Sequence, residues 1–296
     1  MGENETAALR ALMAGDVPGA QDELASGVTR PLLNAALRTY LAKDGDVDGE
    51  VYDRPAAFTA FIRGGGNVGL YEAVGTALAG QYSRHEVATL LDIGCGDGRA
   101  LVAALRGRTP SVTLVEPSSA LLDSAVAALE EVPVTAHNTD AATFVEHVTD
   151  RFDLAESTFA LHALPHEERS AVLTGLRGHV SRLVLAEFDV PDHPVGSAEH
   201  LTFLADTYEQ GLAEYDSDRD LVAQGFLLPV LTGQLAPGAH RSTWEQPATA
   251  WAEQLTKCGY HEVMIEPLHE YWCAPAFLLT ARGDAAKSVH HAEPGY

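Results

Sequence analysis

The densest chemistry in the 296-residue chain lies in Leu90-Leu91-Asp92-Ile93-Gly94-Cys95-Gly96-Asp97-Gly98-Arg99. An apolar run ends there in an acid and a glycine-rich turn. Gly94 and Gly96 permit a tight turn that lets a ligand press against the backbone. The helix that follows offers free N–H groups at its start. A dinucleotide site needs G-x-G-x-x-G with pyrophosphate at that helix N-terminus. The spacing here is G-C-G-D-G, and Asp97 puts a carboxylate where pyrophosphate would sit. Asp92 suits a ligand with a positive amine instead. Cys95 reads as a small residue that fits the turn.

Further along, Glu116 ends an apolar run, where an acid can accept both hydroxyls of a ribose. Asn138-Thr139-Asp140 closes the next run. A carboxylate there can accept from an exocyclic amine such as that of adenine. Asp140 equally suits the cap of a helix beginning at Ala141. His162, in FALHALPHEER, is a candidate general base. Glu187 and Asp189 end a later run and share the same pocket edge, with a turn or helix cap as the other role for either. Arg63, beside Gly64-Gly65-Gly66, is suited to a bidentate contact with a carboxylate. Tyr52 and Tyr71 flank it as residues able to close a site.

These residues need a scaffold, and the chain carries one. From Val87 onward, short apolar runs alternate with helical segments: strands at 87–93, 111–116, 132–137, 152–157 and 182–189, with helices at 99–105, 118–130 and 167–179. Nearly continuous apolar strands separated by helices indicate a parallel sheet covered on both faces. The alternation pauses between Pro191 and Arg241, where 198–215 and 221–235 read as helices. It returns with a helix at 248–257 and strands at 262–266 and 276–281. The link between those last strands is too short for a helical crossover, which predicts an antiparallel pair. The first 85 residues read as helices at 6–14, 31–41, 56–62 and 70–81, broken by an acidic loop at 43–50 and by the three glycines.

LLDIGCGDG, VEP and NTDA at the ends of successive strands resemble the class I S-adenosylmethionine-dependent methyltransferase family, over about two hundred residues from Val87 to Gly283. The resemblance implies an α/β, Rossmann-like seven-stranded sheet of order 3-2-1-4-5-7-6 with the seventh strand antiparallel. To this are added an N-terminal helical cap over residues 1–85 and a helical insert at about 191–241, both expected to close over the substrate. The cofactor implied is S-adenosyl-L-methionine. Asp92, Gly94 and Gly96 would line its methionine moiety, Glu116 its ribose, and Asp140 with the backbone of Ala141 its adenine. Ser157 would face it from the other side. Arg63 is carried as a candidate for the carboxylate end, and His162, Glu187 and Tyr71 as candidates for catalysis. No local metal-ligand spacing occurs among the scattered histidines, which include His193, His200, His240, His261 and His269.

Composition bounds the partners. Forty-two acidic against 19 basic residues give a formal net charge of −23, with no Lys/Arg cluster. That excludes a phosphate-backbone grip and disfavours anionic membrane surfaces. Three cysteines without a CxxC pair fit a reducing cytoplasm. Gly2 and Asn4 fall in short myristoylation and glycosylation patterns, without the basic second signal an acyl anchor needs. The reading is a cytoplasmic small-molecule methyltransferase of specialised metabolism, with a homodimer compatible. Two alternatives stand beside it. One is an enzyme of the same fold that cyclises or cleaves the cofactor to methylthioadenosine and a small cyclic amino acid. The other is a non-catalytic cofactor-binding protein.

Overall fold

A computed structural model describes residues 4–43, 55–239 and 241–285. Gly2, Tyr52, most of the acidic loop and His240 lie outside the described residues. The chain divides into two compact units. One comprises residues 69–189, 245–270 and 275–296; the other comprises 1–68, 190–244 and 271–274.

The first unit is built on β1 (Thr89–Ile93), β2 (Ser111–Val115), β3 (Val134–His137), β4 (Phe152–Thr158), β5 (Val180–Phe188), β6 (His261–His269) and β7 (Ala276–Arg282). They form one sheet of order β3-β2-β1-β4-β5-β7-β6. β1 to β5 are parallel, and β7 is antiparallel to both its neighbours. This is the order that the resemblance implies. β6 runs longer than its sequence pattern suggests. It is the edge strand, so Pro267 breaks no ladder that matters.

Two buried clusters cover the faces. On one, Val74, Leu78 and Tyr82 of α5 (Asn67–His85) pack with Leu90, Leu101, Leu114 and Leu154. On the other, Trp251, Leu255 and Tyr260 pack with Leu173, Leu183 and Leu279. α5 explains the unit boundary. Its apolar positions recur four residues apart and all face the sheet. Most of the helix therefore belongs to the sheet unit, and the boundary falls at residue 69, not 85.

Asp153 sets the register of the central strands. Its buried Oδ2 accepts from the Ala88 and Thr89 amides, both at 3.0 Å. That pins the start of β1 to β4, and three residues further along Asp92 comes opposite Glu156. β1 lies between β2 and β4: the chain runs from β1 out to β2 and β3 on one side, then crosses back to β4 on the other. Such a switch point opens a crevice at the strands' carboxyl ends.

The second unit is helical: α1 (Asn4–Met13), α2 (Val17–Ser26), α3 (Pro31–Ala42), α4 (Pro55–Arg63), α10 (Ala198–Ala213), and a continuous stretch from Arg219 to Leu235. Its own core includes Leu9, Leu24, Leu37, Leu204, Tyr208 and Leu231. Pro31 opens α3 as its sequence suggests. The free amides of Leu32 and Leu33 donate to Glu209 at 3.2 and 2.7 Å. Glu5 is fully buried. Burial alone would raise its pKa, but hydrogen bonds from Thr29 and Asn34 outweigh it and hold the carboxyl below its ordinary value. Between Arg219 and Leu235 a π-turn interrupts the helix at Ala223–Leu227, where Phe226 stacks on Phe61 with centroids 4.2 Å apart.

At the carboxyl end of β1 the chain enters its left-handed turn. Gly94 has φ +69°, and a Cβ placed there would collide with that of Ala160. Gly96, at φ +54°, faces open space. Gly94→Ala therefore costs roughly 2–4 kcal/mol from backbone conformation and overpacking together, whereas Gly96→Ala costs only about 1 kcal/mol. Urea denaturation of the two variants measures the difference; equal losses would contradict the packing argument.

Candidate active site

Asp92, one residue before the end of β1, is almost fully buried, and its Oδ1 has no hydrogen-bond partner. Burial first, then the negative charge of Glu116, push its carboxyl up to about 7. Glu116 follows β2 and ties two turns together. Its Oε2 accepts from the Gly96 amide at 3.1 Å and its Oε1 from the Ser118 amide at 3.0 Å. Burial raises its pKa, and the two amides partly offset that. Each oxygen keeps a second lone pair for a ligand hydroxyl. The Asn138 side chain donates to the carbonyls of Glu116 and Pro117 at 3.0 and 2.8 Å, drawing the end of β3 alongside.

Asp140 caps α8 (Ala141–His147). Its Oδ1 accepts from the Thr143 amide and its Oδ2 from the Thr143 hydroxyl, which hold its carboxyl below the ordinary value. The capping role that the sequence offered is thus present. The outer lone pairs of this exposed carboxylate remain available, beside the Ala141 backbone. Cys95 is buried among acids; burial, then Asp92 and Glu116, push its thiol far up, so it is no nucleophile.

The glycines divide their work. Ala160, in the turn after β4, fills the space beside Gly94, so that glycine serves close packing within the protein. Gly96 is the position that leaves room for a ligand.

Across the switch point, β4 contributes Glu156 and Ser157, and the Ser157 hydroxyl is buried without a partner. His162 sits in the single turn after β4. Its amide donates to Glu187 Oε1 at 3.2 Å, and its Nδ1 lies 2.7 Å from Oε2. Glu187, near the end of β5, is almost completely buried. Burial pulls the imidazole pKa down, but the Glu187 charge and hydrogen bond prevail and raise it. Asp189 takes the other role its sequence offered, with Oδ1 accepting from the Ala248 amide at the start of α13 (Ala248–Lys257), at 2.7 Å. Phe159, at φ +51°, stacks on Phe188 with centroids 4.6 Å apart. Tyr71 meets the Phe159 edge at 6.1 Å and carries the Arg99 guanidinium over its ring. A positive φ at a bulky residue marks a position held by its surroundings.

Arg63 belongs to the helical unit. It ends α4 and lines an open groove there with Ala56, Thr59 and Asp218. Next to it, Gly64–Gly66 run against Tyr215, Glu214 and Tyr271, and the buried Asn67 donates to the Phe61 carbonyl and Tyr215 hydroxyl.

Sequence reasoning missed Glu156 and Tyr82. Glu156 is wholly buried opposite Asp92, with Tyr82 donating to its Oε2 and Oε1 unpartnered. A charged residue within an apolar strand was the available signal. Among the described residues, no group of three or more His, Cys, Asp or Glu side chains forms a metal-binding cluster. No helix among them is long and apolar enough to cross a membrane.

Comparison with known proteins agrees with the fold. Residues 90–182 match the family model described as "Methyltransferase domain". Among solved structures, the mitomycin 7-O-methyltransferase MmcR is similar at 19% identity and TM-score 0.51, covering 91% of this chain and 75% of that one. A putative O-methyltransferase from Nostoc punctiforme PCC 73102 is similar at 12% identity and TM-score 0.52, covering 89% and 72%. No curated protein matches the sequence. The sheet unit, with its 3-2-1-4-5-7-6 order and its acid-and-glycine turn, has the Rossmann-like methyltransferase fold, and residues 90–182 within it match a methyltransferase domain.

Proposed function

We propose that the chain methylates a small molecule of specialised metabolism, using S-adenosyl-L-methionine held at the carboxyl ends of β1 to β4. The observation that supports this most is an open glycine turn beside a buried, orphaned carboxylate oxygen, with a second orphaned hydroxyl at the end of the neighbouring strand. Asp92 Oδ1 and the Ser157 hydroxyl are buried and unpartnered, and Gly96 faces space beside the carboxylate of Glu116. Buried polar atoms without partners are costly, and a ligand that supplies the partners relieves that cost.

In this reading Asp92 takes the ligand's ammonium and Glu116 its ribose hydroxyls. Asp140 and the Ala141 backbone take the adenine edge. When bound, the cofactor supplies a methyl group on a positively charged sulfur with a neutral leaving group. The protein's task is then alignment, exclusion of water and removal of one proton.

His162 is the proton acceptor. Glu187 engages its Nδ1 and leaves Nε2 for the acceptor group. Such a carboxylate fixes the tautomer and stabilises the imidazolium that forms. Phe159, Phe188 and Tyr71, at the ends of β4 and β5 and on α5, offer a flat apolar wall for the acceptor. These two strand ends thus suit a small molecule carrying an ionisable O–H or N–H.

Three outcomes are expected. Incubation with S-adenosylmethionine and a panel of small hydroxylated and amino acceptors yields S-adenosylhomocysteine. Methylthioadenosine in its place would show attack on the methionine side chain and overturn methyl transfer. Glu116→Ala weakens cofactor binding by about 100-fold or more, the scale of two lost charge-assisted hydrogen bonds, with the fold intact by circular dichroism. Unchanged affinity would remove the ribose assignment.

The third concerns pH. His162 works only when neutral and its pKa is raised, so kcat falls as pH drops through a midpoint above about 6.5. Glu187→Gln moves that midpoint down and lowers kcat by about 10–100-fold, with KM for the cofactor little changed. A pH–rate profile unaffected by Glu187→Gln would remove His162 from the chemistry.

A further inference from the structure

Beneath the glycine turn lies a feature that methyl transfer alone does not require. Glu156 is fully buried in the middle of the sheet, on the strand beside Asp92 and at the same register level. Parallel neighbours in register share a face of the sheet, so the two carboxyls stand side by side. Tyr82 reaches them from α5 and donates to Glu156 Oε2. Val184 of β5 flanks Glu156 on its other side. Asp92 Oδ1 and Glu156 Oε1 both lack partners.

Among the described residues, the titratable groups that bear on this pair are Tyr82, Cys95 and Glu116, and none of them is a cation. Two carboxylates this close, in a medium that solvates charge poorly, cannot both ionise without a positive partner. A mere packing role is better served by an apolar residue at position 156. A second acid there, with an oxygen left open, points to a positive group that comes from outside the chain.

We propose that Glu156 is a second acid of the cofactor site: with Asp92 it shares one proton while the site is empty, and a cationic ligand displaces that proton to solvent. Resting on the S-adenosylmethionine reading above, this makes Glu156 a determinant of selectivity for charge. The empty pair carries one negative charge, and the occupied pair carries two, matched by the ligand's positive charge. Burial and Asp92 both raise the Glu156 pKa, in keeping with a pair that holds a proton near neutrality. The pair titrates as a unit, so the proton belongs to both residues.

Calorimetric titration of the whole protein with S-adenosylmethionine tests this, in two buffers of different ionisation enthalpy at about pH 6.5. The binding enthalpy should differ between buffers by an amount that corresponds to a released fraction approaching one proton. Affinity should weaken by up to about tenfold per pH unit below the pair's titration range. Glu156→Gln keeps the shape and an oxygen for Tyr82 but removes one of the two exchanging carboxyls. Its enthalpy should depend clearly less on buffer, and its affinity less steeply on pH, than those of the unaltered protein, with Asp92 alone left to exchange a proton.

Buffer-independent binding by the unaltered protein would overturn the proposal while leaving the cofactor reading in place, and it does not depend on whether the variant folds. Proton release that persists unchanged in a folded Glu156→Gln variant would also overturn it. Failure of S-adenosylmethionine to bind at all would overturn the cofactor reading and this assignment with it.

Discussion

Two carboxyls side by side at the centre of a sheet, with no cation among the described residues to neutralise them, are the constraint on which the site turns. Asp153 clamps the start of β1 to β4 through the Ala88 and Thr89 amides, and the parallel register then leaves Asp92 opposite Glu156. The cost of burying that pair is relieved by protonation or by a positive ligand. The geometry above it leaves one direction of approach. Ala160 occupies the space beside Gly94, Gly96 stays open, and Glu116 holds the turn from the side of β2.

The switch point separates two kinds of chemistry. On the side of β2 and β3, the strand ends present acceptors held in fixed positions: Glu116 between two amides, and Asp140 across the first turn of α8. These suit recognition, because their lone pairs are oriented and their charge is retained. On the side of β4 and β5 stands a hydrogen-bonded His162–Glu187 pair beside stacked aromatic rings. That combination suits proton removal from a flat, weakly polar molecule. In the proposed reading, recognition and catalysis thus draw on different strands of one sheet. The helical unit is stabilised separately, by its own core and by the Glu5 and Glu209 networks.

Much of this was legible in the sequence because the signals were local. Strand and helix alternation after Val87 follows from apolar runs of the right length. Helices 99–105 and 248–257 end where the pattern ends. The short link before Ala276 correctly called for an antiparallel pair. What stayed hidden depends on contacts distant in sequence. Glu156 sits in FDLAES, read only as an apolar strand. Its meaning appears when the register puts it against Asp92 and the four-residue spacing of Val74, Leu78 and Tyr82 brings a hydroxyl to it. The purpose of Gly94 depends likewise on Ala160, and the grouping of Tyr271–Ala274 with the helices depends on contacts outside its own strand pair. Even the net charge of −23 changes meaning once located: as a total it disfavours polyanionic partners, while only a few of its acids lie at the ends of the central strands.

The central claim is that the open turn between Asp92, Gly96 and Glu116 holds S-adenosylmethionine. A crystal structure of the protein grown with S-adenosylhomocysteine tests it most directly. The account predicts the ribose hydroxyls within hydrogen-bonding distance of Glu116, the adenine edge at Asp140 and Ala141, and the amino group on the side of Asp92. Ligand density at another position, or ribose hydroxyls turned away from Glu116, would contradict it.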